Sequence, residues 1–272
     1  MHLSLRSLLF KISKFLVFLF VILFCKISTA QIQIDQSLTP EQLVQQVLIG
    51  SGVTVNNVVF TGSLENAIGS FSNGSTTNIG LDEGVILSSG DVTLVPNPAN
   101  QNASISNNLP GDEDLDALEG VVGTNDATVL EFDFVPQSDT LSFEYVFGSE
   151  EYPEFVNQFN DVFAFFITGH NPNGPDFVNE NIALVPGTNL PVSINNVNNG
   201  TSNTGPCVNC EYYVNNTGGL SIVYDGFTTV LTATAVLAPC STYHMKLAIA
   251  DDVDHILDSG VFLGRIVFPL KD

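Results

Sequence analysis

The chain has 272 residues, 44% of them hydrophobic, and 29 acidic residues against seven basic ones give it a formal net charge of −22 at pH 7. A surface of this sign repels nucleic acid and anionic membranes and attracts cations or basic partners, which argues against a nucleic-acid-binding protein. Twenty Phe residues and recurring Val, Ile and Leu argue against disorder, so the chain can bury a core.

The first thirty residues have the pattern of a secretory signal peptide. Three basic residues precede an apolar run from Phe15 to Phe24, and small residues follow up to Ala30. This pattern predicts export and cleavage after Ala30. A membrane anchor is the alternative, although the uncharged run is shorter than a spanning helix requires. Without residues 1–30, three basic residues would face 29 acidic ones, a formal charge of −26, and no membrane span is expected in what remains.

One helix is predicted near the start of the mature chain. Thr39 is placed as an N-cap, Pro40 suits the first turn, Gln42 completes a capping box, and Gly50 is expected to end the helix. The later segments alternate polar and apolar residues or are apolar throughout, as half-buried and central strands do. We predict strands at 53–60, 84–88, 129–134, 141–147, 162–167, 229–237, 243–249 and 261–268, of which 162–167 and 229–237 are covered on both faces.

Short strands separated by turn-rich loops define the expected fold. Roughly ten to twelve of them predict an all-β protein, a β-sandwich of jelly-roll type with one short N-terminal helix. No linker, charge run or repeat interrupts residues 31–272, so we expect a single domain there.

Four carboxylates interrupt an aromatic-rich stretch, FGSEEYPEFVNQFNDVFAFFITG, at residues 147–169. The first two are expected in a loop after a strand, and the last begins the next strand. A second acidic group at 251–254 follows another predicted strand and can join the first group in space. Clustered oxygen ligands suit calcium. We therefore predict a calcium site at Glu150, Glu151, Asp161, Asp251 and Asp252, with a solvated acidic rim that binds no specific ligand as the alternative.

Other acidic patterns are weaker. Residues 112–116 begin like an EF-hand loop, but Ala117 and Gly123 stand where a glycine and an acidic ligand are needed, so an EF-hand is not expected. A pair of carboxylates can also serve a glycosidase, yet the chain has no Trp to stack on a sugar and no GxSxG, HExxH or P-loop pattern. The sequence therefore predicts a protein that is not an enzyme.

Three cysteines follow the predicted signal peptide. Export favours their oxidation, and Cys210 is next to the strand-like residues 212–214, so we predict a disulfide between Cys210 and Cys240. The alternative adds His244 to Cys207, Cys210 and Cys240 as a zinc site of the form C-x2-C…C-x3-H.

An ordered series of motifs resembles the choice-of-anchor L domain, a family of secreted or surface bacterial proteins that is common in Bacteroidetes. The resemblance implies location and architecture, and it supplies no activity or catalytic residues. The chain ends at Asp272 without a C-terminal sorting segment, so a stand-alone secreted form and a truncated product both remain open. The motifs are LTPEQLVQQVLIG (38–50), GVILSSG (84–90), LEFDFVP (130–136), the stretch 147–169, NIALVPG (181–187), YDGFT (224–228), TYHMKLAIAD (242–251) and DSGVFL (258–263).

These observations predict a secreted, non-catalytic module, extracellular or at the cell surface, that serves in adhesion or another extracellular interaction. Its expected partners are an extracellular glycan or a surface protein, and calcium is the expected cofactor. A calcium-dependent carbohydrate-binding module is the alternative, and a glycosidase comes third.

Overall fold

Two antiparallel β-sheets make up most of the structure, a computed structural model that describes residues 31–49 and 53–268. The predicted signal peptide at 1–30 and the expected helix end at Gly50 lie outside these residues. The strands are β1 Gln33–Asp35, β2 Thr54–Thr61, β3 Ile68–Ser72, β4 Gly84–Ser88, β5 Thr124–Val135, β6 Thr140–Ser149, β7 Val162–Gly169, β8 Phe177–Asn181, β9 Tyr213–Asn215, β10 Gly226–Thr228, β11 Leu231–Val236, β12 Tyr243–Asp252 and β13 Ser259–Leu263.

The strand order confirms the predicted jelly roll. The larger sheet has the order β1-β3-β4-β13-β6-β10-β9, with β11 also beside β6, and the smaller sheet has the order β2-β5-β12-β7-β8. Strands therefore pair inward from both ends of the chain, β4 with β13, β5 with β12, β6 with β11 and β7 with β8. A long hairpin rolled up in this way, with alternate pairs in opposite sheets, is a jelly roll. That residues 31–272 unfold as a single domain stays a prediction.

The predicted helix is present. Helix α1, Pro40–Gln42, continues as a π-helical segment, Leu43–Leu48, which buries Leu43, Val44 and Leu48. The Thr39 hydroxyl accepts a hydrogen bond from the Gln42 N–H at 3.3 Å, and the Gln42 side chain accepts one from the Thr39 N–H at 2.9 Å, so the capping box is confirmed. The other helical pieces are the short helix α2, Glu113–Asp116, and the 3₁₀ turns Gly74–Thr76, Val92–Leu94, Ile194–Asn196, Thr201–Asn203 and Cys210–Tyr212.

The main core lies between the two sheets. Phe143 on β6 stacks on Phe165 on β7 with ring centroids 3.8 Å apart, and Tyr145 packs against Phe163 at 5.5 Å. These side chains are fully buried, and each buried large apolar side chain contributes about 1.5–3 kcal/mol to the free energy of unfolding. Phe163 and Phe165 of the stretch 147–169 therefore hold the two sheets together.

The centre of the smaller sheet is covered on its outer face as well. Ala164, Phe166 and Ala248 pack there against Leu115 of helix α2, which confirms the prediction that residues 162–167 are buried on both sides. The same prediction for residues 229–237 was wrong, because every second residue of β11 is exposed. The alternation of apolar and polar residues along β11 is that of a strand with one face in water.

Candidate functional site

Four strand ends that carry acidic residues meet at one end of the sandwich. β6 ends where β13 begins, because Ser149 pairs with Ser259, and β12 ends where β7 begins, because Ala250 pairs with Val162. The structure thus brings the five predicted ligand positions together and adds a sixth acid. We call this set the acidic cluster: Glu150, Glu151, Asp161, Asp251, Asp252 and Asp258, all of them buried.

Asp161 links the two sheets within the acidic cluster. Its Oδ1 accepts a hydrogen bond from the Asp252 N–H at 3.0 Å, and its Oδ2 accepts one from the Ser259 hydroxyl at 2.6 Å. Burial nevertheless raises the pKa of Asp161 to about 8, with smaller contributions from the charges of Asp254 and Asp252. Two good hydrogen bonds therefore do not offset the cost of burying this charge.

Asp251 is the least satisfied member of the acidic cluster. Its side chain belongs to a residue that is 1% exposed, and neither carboxylate oxygen has a hydrogen-bond donor in good geometry. Burial raises its pKa well above the ordinary value, the charges of Asp161, Asp258 and Asp126 add to that effect, and the Ser89 hydroxyl opposes it only in part. A buried carboxylate in this position is stable only if a proton or a cation neutralises it.

The adjacent residues Glu150 and Glu151 are also buried carboxylates with raised pKa values. Burial raises the pKa of Glu151 to about 9, helped by the charge of Asp161, and its Oε2 has no donor. Burial likewise raises the pKa of Glu150 to about 8, although its Oε1 accepts a hydrogen bond from the Ala103 N–H at 3.2 Å. The loop after β6 therefore turns both adjacent carboxylates inward, as the calcium prediction requires.

Asp258 is the member that the predicted ligand set leaves out, although it follows the second acidic group closely in the sequence. Both of its oxygens accept from the Ile105 N–H, at 3.0 and 3.1 Å, and burial raises its pKa to about 7. A Cβ atom on Gly90 would lie 1.7 Å from Asp258 Oδ2, so only glycine leaves room for this carboxylate. The signal in the sequence was the acid directly before the strand at Ser259, as Asp161 is directly before β7.

Asp252 also holds a neighbouring loop in place. Its Oδ1 accepts from the N–H groups of Val122 and Gly123, both at 2.9 Å, and so fixes the loop that leads into β5. One of its oxygens is therefore already engaged with the backbone.

The basic residues of the described segments lie elsewhere. Lys246 Nζ is 2.7 Å from Asp112 Oδ2 and also contacts Asp114, and Arg265 donates to the Gln46 carbonyl at 3.4 Å. The imidazole of His255 pairs with a carboxylate outside the acidic cluster, since its Nδ1 lies 3.1 Å from Oδ2 of the fully buried Asp126. No lysine or arginine among the described residues thus neutralises the cluster.

The carboxylates of the acidic cluster are near one another without forming a tight coordination shell. Across residues 31–49 and 53–268, no three of them bring one oxygen each within 4.8 Å of one another. The group that does meet this distance consists of Cys207, Cys210 and Glu211. A cation in the acidic cluster would therefore have to draw the side chains inward.

The predicted Cys210–Cys240 disulfide was wrong, because the structure joins Cys207 to Cys210 and leaves Cys240 as an exposed free thiol. The left-handed backbone of Asn209, with φ 46°, closes a turn that brings the first two cysteines to a Cα–Cα distance of 5.2 Å. Cys240 instead follows β11, which pairs with the first half of β6. Cys210 precedes β9, which pairs with β10, and β10 lies beside the other end of β6. The alternative Cys3His zinc site does not form either.

The remaining candidates have structural roles. His244 lies on a strand face, with Nδ1 2.8 Å from Asp133 Oδ1, and is not a metal ligand with the cysteines. Asp112 caps helix α2 by accepting from the N–H groups of Asp114 and Leu115, so residues 112–116 form a helical turn and not an EF-hand loop. His170 pairs with the exposed Asp176 at 2.8 Å.

The strand topology is that of an all-β jelly-roll module, and the acidic cluster lies at one end of its sandwich. The chain belongs to the choice-of-anchor L domain family, whose model matches residues 31–268. Membership of this family, which is not a known enzyme family, indicates an extracellular, surface-associated module. No curated protein and no solved structure matches the chain. Within the described residues, no helix is both long and apolar enough to cross a membrane.

Proposed function

We propose that this chain is a secreted, non-catalytic module for surface adhesion or extracellular interaction, and that a calcium ion in the acidic cluster holds the loops at one end of its sandwich. The observation that supports calcium most directly is Asp251, whose buried carboxylate has the Ser89 hydroxyl nearby but no hydrogen-bond donor in good geometry. Calcium would supply the positive charge that the described residues do not supply there.

Protonation is the competing way to stabilise the acidic cluster. The raised pKa values of Glu150, Glu151 and Asp161, between about 8 and about 9, describe a cluster that takes up protons when no cation is bound. A cation lowers those pKa values again because it favours the ionised carboxylates. The two explanations therefore differ in whether calcium binds and releases protons.

The ligand chemistry favours calcium over other metals. The cluster offers only oxygen atoms, which suits calcium and magnesium better than zinc or copper. Because its carboxylates are spread too widely for a compact octahedron, the larger and more flexible shell of calcium fits better than that of magnesium. Asp252 has one oxygen left to offer, and the proposed ligands are Glu150, Glu151, Asp161, Asp251, Asp252 and Asp258.

Calorimetric titration of residues 31–272 with calcium tests this site. We expect saturable binding of calcium that exceeds binding of magnesium, and we expect it to disappear in Asp251→Asn. Asp176→Asn, at an exposed aspartate that pairs with His170, is the matched control and should bind as the parent protein does. Equal binding by Asp251→Asn and the parent would place the ion elsewhere, and no binding by the parent would refute the calcium proposal.

The loops next to the acidic cluster are where a partner is expected to bind. Asp258 holds Ile105, and Asp252 holds the loop that carries Val122, a residue that is 82% exposed. Val253 and Ile256, on the loop between β12 and β13, are exposed as well. An apolar surface on loops that are pinned by buried carboxylates would change shape when calcium binds or leaves. Pull-down of extracellular proteins with the parent and with Val122→Ser, with and without calcium, tests this role.

A calcium-dependent carbohydrate-binding module is the second candidate. Two half-buried rings, Phe155 and Phe159, lie on the loop that follows Glu150 and Glu151, with centroids 5.8 Å apart. Aromatic rings beside a cation site can stack on the apolar face of a sugar. Binding to a glycan array that requires calcium and is lost in Phe155→Ala would favour this candidate, and an array without binding would leave a protein partner as the preferred one.

A further inference from the structure

The Cys207–Cys210 disulfide lies in a turn directly before β9. Cys207 and Glu211 are exposed and Cys210 is half-buried, and one carboxylate oxygen of Glu211 lies within 4.8 Å of both sulfurs. The Cys210 N–H also donates to Cys207 Sγ at 3.3 Å. Two sulfurs and a carboxylate thus converge on one accessible spot outside the acidic cluster.

The Cys207–Cys210 disulfide contributes little to the stability of the turn that it closes. Asn198 and Val208 exchange two backbone hydrogen bonds, at 2.9 and 3.0 Å, and the Asn209 side chain donates to the Asn196 carbonyl at 2.8 Å. The two residues between the cysteines are therefore already held by hydrogen bonds to residues 196–198. A disulfide that closes a loop this short also removes less chain entropy than one that closes a long loop. The dithiol form of the turn is consequently expected to keep its shape.

The charges around the turn argue for a metal and against a thiol–disulfide exchange catalyst. Reactive cysteine pairs have thiolates that are stabilised by positive neighbours. Here the neighbour is Glu211, in a chain of formal net charge −22, which disfavours a free thiolate. A divalent cation reverses this effect because it attracts both sulfurs and the carboxylate together.

We propose that Cys207, Cys210 and Glu211 form a zinc site when the disulfide is reduced, with the fourth position of the tetrahedron open to water. Two thiolates and one carboxylate with an open position match zinc, which accepts sulfur and oxygen ligands. The Cys210 N–H that donates to Cys207 Sγ would support the thiolate as an outer-shell contact. This site differs from the Cys3His pattern, because it uses Glu211 and needs neither Cys240 nor His244.

The reaction balances with an extracellular dithiol as the reductant. The dithiol gives two electrons and two protons to the Cys207–Cys210 bond and becomes a disulfide itself, so two thiols form on the protein. Zinc binding then releases one proton from each thiol. Oxidation of the pair would expel the metal, which makes the site dependent on redox conditions.

Zinc and cobalt titration of residues 31–272 tests the proposal, with saturating calcium present so that the acidic cluster does not take up the added metal. One sample is reduced with a water-soluble phosphine and freed of it without air, and the other stays oxidised. We expect one equivalent of zinc in the reduced sample only, and a thiolate-to-cobalt charge-transfer band with cobalt. Cys207→Ser should lose the band, Cys240→Ser should keep it, and Glu211→Gln should bind zinc at least about tenfold more weakly.

Several results would overturn the proposal. Equal zinc binding by the oxidised and reduced proteins would exclude the cysteines as ligands, and so would binding that survives in Cys207→Ser. Loss of binding in Cys240→Ser would point to a different set of ligands. Circular dichroism of each variant separates lost binding from lost folding, and Cys210→Ser provides a second variant should Cys207→Ser not fold.

Discussion

The Ser259 hydroxyl donates a hydrogen bond of 2.6 Å to Asp161 Oδ2. Ser259 begins β13 in the larger sheet, and Asp161 directly precedes β7 in the smaller one. This contact therefore joins the two sheets at the end where the acidic cluster lies. Because the acceptor is a buried carboxylate, a change in the ionisation of Asp161 is expected to affect the contact between the two sheets.

Replacement of Ser259 by alanine should destabilise the protein. The change removes a buried hydrogen bond to a carboxyl group, which costs about 1–3 kcal/mol in the free energy of unfolding. Urea unfolding of the calcium-loaded protein measures this loss. The control is Ser241→Ala, at a turn residue that is only half-buried, and it should stay within about 0.5 kcal/mol of the parent. Equal losses in the two variants would mean that the contact between the sheets has no special role.

Asp251→Asn should have opposite effects with and without calcium. In EDTA it should stabilise the fold by about 1–3 kcal/mol, and more as the pH rises, because a buried carboxyl group with no hydrogen-bond donor in good geometry is replaced by a neutral amide that cannot ionise. With calcium it should be less stable than the parent, because a ligand is lost. Thermal unfolding under the two conditions measures both effects. A variant that is destabilised in EDTA and keeps the full response to calcium would contradict the assignment.

The metal-free protein should lose stability as the pH rises. The pKa of Glu151 rises from 4.5 to about 9 on folding, and that of Asp161 from 3.8 to about 8, so the folded state binds more protons than the unfolded state between these values. The free energy of unfolding contributed by these groups is therefore highest below about pH 4 and declines up to about pH 9. Urea midpoints in EDTA at about pH 6 and about pH 9 measure the decline, and Glu151→Gln should reduce it.

Calcium should weaken or reverse that decline, since it binds the ionised carboxylates. A urea midpoint of the metal-free protein that rises with pH in the same range would show that the carboxylates of the acidic cluster are solvated and have pKa values in their usual range. That result would support the alternative of an acidic rim without a ligand.

Reduction of the Cys207–Cys210 disulfide should leave the fold intact. The bond closes a loop between residues only three apart in sequence, so the loss from chain entropy is about 2 kcal/mol at most. Circular dichroism and urea unfolding before and after reduction measure it. Cys240→Ser should respond to reduction as the parent does. Unfolding on reduction would show that the disulfide holds more of the structure than its own turn.

Much of the fold could be predicted because its signals are local. The capping box at Thr39 and Gln42 depends on residues three apart, and the alternation along the strands depends on residues two apart. The exposed face of β11 is also visible in the sequence, since threonines alternate with Leu231 and Ala233, although the many apolar residues of the segment obscure this alternation.

The acidic cluster could be predicted only in part because its members meet through long-range pairing. Acids next to strand ends were recognisable in the sequence, but which ends coincide depends on the register that places Ser149 opposite Ser259. That pairing is what brings Asp258 beside Glu150, and no local pattern contains it. The disulfide partner depended likewise on the left-handed conformation of Asn209, which an asparagine tolerates but does not dictate.

The melting temperature of residues 31–272 with calcium and with EDTA, at about pH 7.5 and fixed ionic strength, tests the central claim most directly. A hundredfold excess of calcium over its dissociation constant stabilises the folded state by about 2.7 kcal/mol, which corresponds to a rise of about 5–10 °C for a domain of this size. We predict that rise with calcium, a smaller one with magnesium, and none in Asp251→Asn. Identical melting curves in calcium and EDTA would contradict the account, because the acidic cluster would then be neutralised by protons alone.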